Sequence, residues 1–395
     1  MTGANIPRRH EPMGDKMALV LDEDQGLIQD TAREFCAARA PVSQLRALRD
    51  EQDALGYSAD VWREMAELGW AGIVIPEAHG GTGFGWQALG VILEETGRTL
   101  AASPLFATVM LGAGAVLRGG SEAQRAELLP RIAAGELTLT LALEESGQHS
   151  PHGSALSAKA DGDGFVLDGE KTFVIDGHSA DRLVVVARTS GAPGDRDGLT
   201  LFLVPGDAAG LVRTRTFMAD SRNAARLAFS GVRVAADAVI GSVDAGADVL
   251  DPVLDAARIG MAAEMLGTAT EAFERTVAYL KERKQFGEVI GSFQGLKHRA
   301  ADAFTELQLS RSVVMDALTA LDEDRDDVPQ MASLAKARMG ETLNLISREA
   351  IQMHGGIGMT DEYEIGFFLK RARIQEATLG GERFHRDRYA ALSGY

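Results

Sequence analysis

Two short segments in the last third of the chain contain residue types that suit the binding of a phosphate-bearing ligand. Arginine supplies a planar, permanently charged donor, and glycine lets the backbone approach a ligand closely. The first segment spans 279–294 and the second spans 352–363. The candidate binding residues are Arg283, Phe286, Gln294, Gln352, Gly355 and Gly356.

Both segments also have a purely structural interpretation. Arg283 could interact with the last carbonyls of a helix that ends near Gly287, and Gly355 could end a later helix as its C-cap. One glycine suffices for a helix end, however, and a helix end does not explain Gln294 or the second glycine, Gly356. Ligand binding is therefore the favoured interpretation for both segments.

In this order, the two segments resemble the two signature segments of the acyl-CoA dehydrogenase family of flavoproteins. The resemblance implies that Arg283, Phe286 and Gln294 contact FAD. It also implies that Gln352 and the pair Gly355–Gly356 meet the FAD of a neighbouring subunit. An acyl-CoA substrate, an electron-transfer acceptor and a homo- or heterotetramer are further expectations of the resemblance.

The resemblance also shows where a catalytic carboxylate is expected, and this chain lacks it there. Dehydrogenation of an acyl thioester needs a base for one proton while flavin takes a hydride. The segment 371–381 aligns with the family segment that carries the glutamate and places Leu379 at that position. An alternative position, used by some relatives, precedes Arg258 and holds Ala257. The catalytic residue is thus unknown from the sequence.

Three nearby carboxylates could replace the missing base. Glu264 lies seven residues beyond Ala257, about 10 Å further along a helix at ~1.5 Å per residue. Glu376 and Glu382 flank Leu379, with Glu376 about one helical turn early. An ion pair with a neighbouring arginine is the favoured interpretation for each of the three.

Flavin-facing residues of the middle region also differ from the family pattern. The stretch 143–146, Leu-Glu-Glu-Ser, stands where the family has a Thr-Glu-Pro type of sequence, and Ile175 stands where a serine or threonine is usual. Lys171, Phe173 and Asp181 keep the pattern. The resemblance therefore implies altered hydrogen bonds to the flavin and an altered redox potential.

The spacing of apolar residues predicts a fold of the α+β class that is mostly α. From Leu21 to about Gly135 the period is helical, with Ser58 at an N-cap position and a capping box at Ser121 and Gln124. Between 136 and 245 the period is two, with Gly-rich turns, which predicts an antiparallel sheet folded as a barrel or sandwich. The predicted strands lie within 137–143, 165–167, 183–187, 201–204 and 226–229.

Helix-forming residues return after 251, in segments near 252–284, 293–322, 328–354 and 378–393. The predicted domains are a flexible tail (1–16), an N-terminal helical domain (17–135), a middle antiparallel β domain (136–245) and a C-terminal helical bundle (246–395). This order of helices, strands and helices resembles the acyl-CoA dehydrogenase architecture over essentially the whole chain.

Composition excludes several classes of partner. A formal net charge of -17 disfavours nucleic acid and anionic membranes, and no apolar run approaches the ~18 residues of a membrane span. The single cysteine, Cys36, cannot form an intramolecular disulfide, has no metal-ligand spacing around it and fits a cytoplasmic protein. Most of the late basic residues are expected on solvated helix faces: Lys336, Arg338, Arg348, Lys370, Arg371, Arg373, Arg383, Arg386 and Arg388.

Three functional hypotheses follow. The leading one is an FAD-dependent acyl-CoA dehydrogenase subunit whose base comes from a partner subunit or from an unrecognised carboxylate. Its sequence resembles the small subunits of two-gene bacterial acyl-CoA dehydrogenases such as pimeloyl-CoA dehydrogenase, which implies a bulky or dicarboxylic acyl group from fatty acid or steroid catabolism. The others are a non-catalytic flavin- or CoA-binding subunit and an oxidase or monooxygenase that acts on a non-thioester substrate.

Overall fold

The N-terminal part of the chain is helical in a computed structural model that describes residues 21–395. The predicted tail, 1–16, lies outside the described residues. Ser58 accepts a hydrogen bond from the Val61 amide, and Ser121 forms the predicted capping box with Gln124. Helices α1 to α6 span Glu23–Arg39, Val42–Asp50, Ala59–Glu67, Trp86–Thr99, Gly114–Gly119 and Glu122–Ala133, with a π-helical segment, Phe106–Ala113, leading into α5.

A single sheet of eight strands follows. Strands β1 to β8 span Leu139–Ala142, Ser157–Asp161, Gly164–Ile175, Arg182–Arg188, Leu199–Pro205, Leu211–Phe217, Asn223–Ala235 and Val239–Ile240. The order is β6-β7-β3-β2-β4-β5-β8, with β1 beside β4. Pairing is largely antiparallel, as predicted, although β1 and one residue of β2 pair with β4 in parallel.

Strands β2 and β6 were absent from the predicted set. Both carry mostly exposed or half-buried residues, so neither contains the apolar run by which a strand is recognised. Strand β4 shows the opposite case, because both of its faces are buried. Val184 and Val186 pack in the core shared with the helices, whereas Val185 and Ala187 pack in a second core on the other face.

The C-terminal part is a helical bundle. Helices α7 to α11 span Ala247–Glu282, Gln294–Asp322, Val328–His354, Ile365–Ala377 and Glu382–Leu392, and a hairpin of β9 (Lys284–Gln285) and β10 (Glu288–Val289) follows α7. The prediction of one helix at 378–393 was wrong at its start, and α10 was not predicted. Leu379 and Gly380 have positive φ angles, +60° and +103°, which separate α10 from α11.

Two of the late basic residues are not on solvated faces. Lys336 and Arg371 are each about 1% exposed. Lys336 donates to the backbone carbonyls of Gln375 (2.8 Å), Glu376 (2.9 Å) and Gly380 (3.2 Å). Burial lowers the pKa of Lys336 to about 7. This lysine therefore fixes the end of α10 and the loop that follows it.

Candidate active site

A cavity of about 280 Å³ lies between the sheet and the C-terminal end of α10. Strands β1, β3 and β7 contribute Leu141, Ile175 and Ala224, and the other side contributes Ile374 and Leu379. Its walls are largely apolar, as expected of a pocket that holds an organic ligand out of water. Ile175, predicted to replace a flavin-facing hydroxyl, is thus on the cavity wall.

Leu379 is held on this wall by its own backbone. Its carbonyl accepts hydrogen bonds from Nε of Arg258 (3.3 Å) and Nε2 of His385 (3.0 Å). The side chain is 8% exposed and lines the cavity. Ala257, the alternative position, is fully buried in the helical core and is not among the cavity-lining residues. Of the two positions where the resemblance leads us to expect a base, only Leu379 faces the cavity in this chain.

The cavity wall bends where β3 carries an irregularity. The pairing of β3 with β7 shifts register between Lys171 and Val174, and Phe173 adopts a positive φ of +51°. Such bulges re-aim side chains, and here the residues at the bulge line the cavity. Lys171 fixes the adjacent loop, because its buried ammonium group donates to the Leu143 carbonyl (3.0 Å) and to Oε1 of Glu145 (2.7 Å). Burial lowers the pKa of Lys171 to about 8, although Glu145 opposes that shift.

Glu144 and His149 form a polar pair on the same cavity. Nδ1 of His149 lies 2.5 Å from Oε1 of Glu144, and Nε2 lies 3.0 Å from Nη2 of Arg258. Both Glu144 and His149 line the cavity, and the buried Arg258 is paired with Asp255 (2.8 Å). Burial is the largest influence on His149 and lowers its pKa, although Glu144 acts in the opposite direction.

Sequence reasoning named Glu144 only as part of an altered stretch and did not name His149. The pair depends on Arg258, which lies 109 residues further along the chain. One sequence signal was available, because Glu144 lies within the stretch 143–146 that departs from the pattern expected from the resemblance.

Glu264 is part of a buried charge network beneath the cavity. It is 3% exposed and contacts Arg222, while Nη1 of Arg371 lies 3.4 Å away and Nε2 of Gln375 lies 3.0 Å away. Nε of Arg371 also donates to Asp220 at 2.6 Å. The ion-pair interpretation of Glu264 is therefore confirmed, with Oε1 as the shared acceptor.

The two other carboxylates proposed as replacements also have structural partners. Glu382 pairs with Arg386 at 3.1 Å, as the ion-pair interpretation predicts. For Glu376 that interpretation was wrong, because its Oε1 accepts the backbone amide of Glu382 at 3.1 Å and so caps the start of α11. Neither Glu376 nor Glu382 is among the residues that line the cavity.

The first binding segment occupies an exposed end of the bundle. The Arg283 amide donates to the Tyr279 carbonyl at 2.9 Å as α7 ends, and its side chain is exposed with no ion pair among residues 21–395. Phe286 is 93% exposed at the hairpin tip with φ of +57°, followed by Gly287 at +84°. Gln294 is exposed at the start of α8.

The second binding segment lies beside the first. Tyr279 stacks on His354 with ring centroids 4.4 Å apart, and its hydroxyl donates to the His354 carbonyl at 3.4 Å. His354 itself has a packing and hydrogen-bonding role, because its ring stacks on Tyr279 and its Nδ1 lies 2.7 Å from the Ala350 carbonyl. The ends of α7 and α9 therefore meet, and this contact places the two segments at one end of the bundle.

The two glycines of the pair have different roles in the structure, because Gly355 ends a helix and Gly356 lies at an open position. Gly355 has φ of +64° and ends α9, a conformation that favours glycine. A Cβ atom built on Gly356 would meet nothing within 4 Å, so packing among the described residues does not require glycine there. Gln352 is exposed beside them. None of the six predicted binding residues lines the cavity, and all of them face outward.

The exposed segment fits a dinucleotide that approaches from outside this chain. Arg283 is a free cation among the described residues, and Gly355 and Gly356 leave space for close backbone contact. Charge-assisted hydrogen bonds from a guanidinium are among the strongest interactions available to a phosphate. The residues present are therefore compatible with the diphosphate of FAD.

Comparison with known proteins places the chain in a family. Three family models match in order: the acyl-CoA dehydrogenase N-terminal domain at 22–136, the middle domain at 140–232 and the C-terminal domain at 244–392. The chain belongs to the acyl-CoA dehydrogenase family, and its helix, sheet and helix order matches that fold. Within residues 21–395, no helix combines the length and apolarity needed to cross a membrane.

Individual relatives agree with this assignment. Acyl-CoA dehydrogenase FadE12 of Mycobacterium tuberculosis is 31% identical over 326 residues, which are 80% of this chain and 83% of FadE12. A structure of a variant of the Tcur3481-Tcur3483 steroid ACAD is 34% identical with a TM-score of 0.84, covering 94% of this chain and 98% of that one. The ChsE4-ChsE5 complex of Mycobacterium tuberculosis is 25% identical with a TM-score of 0.87, covering 96% and 100%.

Proposed function

We propose that this chain is a subunit of an FAD-dependent acyl-CoA dehydrogenase that acts in the α,β-dehydrogenation of an acyl-CoA thioester. The observation that carries the proposal is the largely apolar cavity beside the sheet, with Leu379 on its wall at the position of the family's glutamate. Leucine cannot accept a proton. The reaction therefore needs a base from a partner subunit or from another carboxylate.

The exposed end of the bundle supplies the cofactor contacts in this proposal. Arg283 and Gln294 hold the diphosphate, Phe286 packs on the cofactor, and Gln352 with the pair Gly355–Gly356 offers backbone and amide donors. When bound, FAD accepts the hydride from the β carbon of the thioester. Because these residues face away from this chain's cavity, the FAD that they contact belongs to a site shared with another subunit.

A heteromeric assembly explains this division. The Tcur3481-Tcur3483 and ChsE4-ChsE5 structures each name two proteins, and the second is described as a complex. In the assembly that we propose, this chain and a second acyl-CoA dehydrogenase chain form a tetramer. The acyl group is bulky, by analogy with the relative described as a steroid ACAD. An electron-transfer acceptor reoxidises the flavin.

A second candidate function is a non-catalytic subunit that binds flavin or CoA and supports assembly. It is favoured by the concentration of departures from the family pattern in one place, because Glu144, Ile175 and Leu379 all line the cavity. In this case the cavity binds no reacting thioester, and the exposed end serves only the partner's flavin.

The experiment is to purify the chain alone and together with the products of genes adjacent to its own. A visible spectrum of each preparation measures bound flavin, and anaerobic addition of acyl-CoAs of different size measures flavin bleaching. We expect bleaching in at least one preparation. If neither preparation is bleached by any thioester, the dehydrogenase proposal is wrong. A yellow complex that needs this chain for activity although its cavity binds no thioester would favour the second candidate, and rapid reoxidation by air would favour an oxidase.

A further inference from the structure

We propose that Glu144 accepts the α-proton of the thioester in this cavity, and that His149 positions it. The inference deepens the proposed function and rests on it in one respect, namely that the cavity binds an acyl-CoA thioester. It supplies a specific residue from this chain in place of the base that Leu379 cannot provide.

Glu144 is the one carboxylate among the described residues that line the cavity. Two other carboxylates close by, Glu264 and Glu145, do not line the cavity. Glu264 is 3% exposed, and its Oε1 is bound by Arg222, Arg371 and Gln375. Oε1 of Glu145 accepts from Lys171 and from the Leu156 amide, and its Oε2 accepts from the Ala155 amide.

The hydrogen bonds of His149 assign its tautomer. An arginine guanidinium only donates, so Nη2 of Arg258, at 3.0 Å, requires Nε2 of His149 to be the acceptor. The ring proton then sits on Nδ1 and is donated to Oε1 of Glu144 at 2.5 Å. With Nε2 as an acceptor the ring carries one proton and is neutral, and burial, which lowers the pKa of His149, favours the same form.

This arrangement leaves Glu144 with one oxygen fixed and one available. Oε1 is held by His149, whereas Oε2 has no hydrogen-bond partner within residues 21–395. The Glu144 side chain is 19% exposed, so the carboxylate is reachable from the cavity. A carboxylate that is oriented by one bond and open at its second oxygen has the geometry of a general base.

The pair also adjoins the vacated position. Arg258 donates both to His149 and, through Nε, to the Leu379 carbonyl at 3.3 Å. A Cβ atom built on Gly380 would lie 3.1 Å from Cδ2 of His149, so the ring touches the loop that carries Leu379. Glu144 and Leu379, which both line the cavity, are therefore connected through His149 and the buried Arg258.

The proposed step is a proton transfer that balances without an oxidant. The α C–H bond breaks, its proton forms an O–H bond with Oε2 of Glu144, and its electron pair enters the enolate, whose charge rests on the thioester oxygen. Glu144 becomes a neutral carboxylic acid that still accepts from Nδ1 of His149. Transfer of hydride to flavin is a separate event and is not needed to observe this step.

The test measures α-proton exchange in D₂O with a 3-thiaacyl-CoA, whose sulfur at the β position prevents dehydrogenation. Deuterium uptake is followed by mass spectrometry with the chain alone and with its complex, and thioester binding is followed by calorimetry. We expect Glu144→Gln to slow exchange by about 10²- to 10⁴-fold while binding persists, since this is the usual contribution of a positioned base. Glu144→Asp should restore part of the rate, and His149→Asn should change the pH profile of exchange.

Glu382→Gln is the matched control, because it removes a carboxylate close to Leu379 that does not line the cavity. Exchange at the wild-type rate in folded Glu144→Gln would overturn the inference, as would thioester binding without any exchange. If Glu144→Gln does not fold, the test uses the rate of α-proton exchange in Glu144→Asp. An exchange rate equal to that of wild type would then show that Glu144 is not the base. If exchange depends on Glu144 but no thioester bleaches the flavin, the dehydrogenase proposal is wrong and the proposed role of Glu144 in proton transfer stands. Absence of thioester binding would refute both proposals.

Discussion

The exposed end of the C-terminal bundle and the cavity beside the sheet differ in how their residues relate to the family resemblance and in how these residues are bonded within the chain. At the exposed end, the residues that the resemblance assigns to FAD binding, Arg283, Gln294 and the pair Gly355–Gly356, make few contacts within this chain. In the cavity, Leu379 and Ile175 are apolar at positions where the resemblance implies polar groups, and the backbone around Leu379 is held by several hydrogen bonds.

The comparison distinguishes residues that stabilise the fold of this chain from residues that contribute little to it. An exposed cation and an open Gly356 contribute little to the packing of this chain, so packing within the chain does not account for their residue types. In the cavity, Arg258 and Lys336 hold the loop around Leu379 through hydrogen bonds to its backbone carbonyls.

The prediction with the largest expected effect introduces a carboxylate at position 379 on the cavity wall. In the Glu144→Gln background, Leu379→Glu should raise the rate of α-proton exchange by about 10²- to 10⁴-fold, because a carboxylate again faces the cavity. Deuterium uptake by a 3-thiaacyl-CoA measures the rate.

Leu379→Gln in the same background is the control for size and polarity, and it should leave exchange slow. If Leu379→Glu also leaves exchange slow while thioester still binds, the wall at 379 does not face the α carbon. The cavity would then differ from the family in more than its base, which favours the non-catalytic candidate.

The second prediction concerns the charge network beneath the cavity. Glu264→Gln should lower the free energy of unfolding by about 3–5 kcal/mol, because it leaves Arg222 and Arg371 buried without their shared anion. Urea unfolding at neutral pH measures the change. The control is Glu170→Gln, which removes the exposed pair with Arg226 and should cost less than about 1 kcal/mol. Similar effects of the two substitutions would show that the network is not a structural support.

Capping residues and glycines in the sequence predicted those helices whose ends are set by one or two residues. Ser58 and Ser121 cap their helices with side-chain hydroxyls that accept amides three residues on, and Gly135 acts through its positive φ, so the helices that they delimit were recognisable. Strand β6 was not, because its residues alternate between exposed and half-buried positions at the sheet edge and carry no apolar run.

The candidate site was predicted only in part, for a similar reason. Alignment of a short motif located Leu379, and the structure places it on the cavity wall. The pair Glu144–His149 depends on Arg258, more than a hundred residues away, and no local pattern encodes that contact. Ala257 matched a motif equally well but is buried in the core, because burial is set by helix packing rather than by sequence spacing.

The third prediction addresses the exposed end. Arg283→Ala should weaken FAD retention in the assembled protein by about 10- to 100-fold, because a hydrogen bond to a charged group contributes about 1.5–3 kcal/mol. The ratio of flavin to protein after dialysis measures the loss. The unfolding midpoint of the flavin-free chain should not change, because the Arg283 side chain is exposed and has no ion pair among the described residues.

Arg383→Ala is the matched control, since this arginine on α11 has a side chain that is 96% exposed and only a weak contact with Asp387. It should retain flavin as wild type does. Equal flavin loss in both variants would indicate a general effect of charge. If Arg283→Ala retains flavin as fully as wild type does, Arg283 does not bind the cofactor, and the exposed end would be an ordinary protein surface at this residue.

The smallest expected effect concerns Asp176, which lies next to Ile175 and shares a small cavity with Arg222. Burial raises the pKa of Asp176 to about 7, although Arg222 acts in the opposite direction. Between about pH 4 and pH 7 the folded chain therefore binds a proton that the unfolded chain has released. This proton stabilises the fold fully below pH 4, and its contribution is lost as the pH rises through 7.

Asp176→Asn should remove this dependence, with a change in slope of at most about 1.4 kcal/mol per pH unit. Asparagine tolerates the positive φ of +54° at this position, so the backbone is not strained by the substitution. The measurement is the difference in unfolding free energy between variant and wild type from pH 4 to pH 8, with exposed Asp163→Asn as control. A difference that is flat across this range would mean that Asp176 is ionised in the fold. The small cavity next to Ile175 would then carry a negative charge beside Arg222.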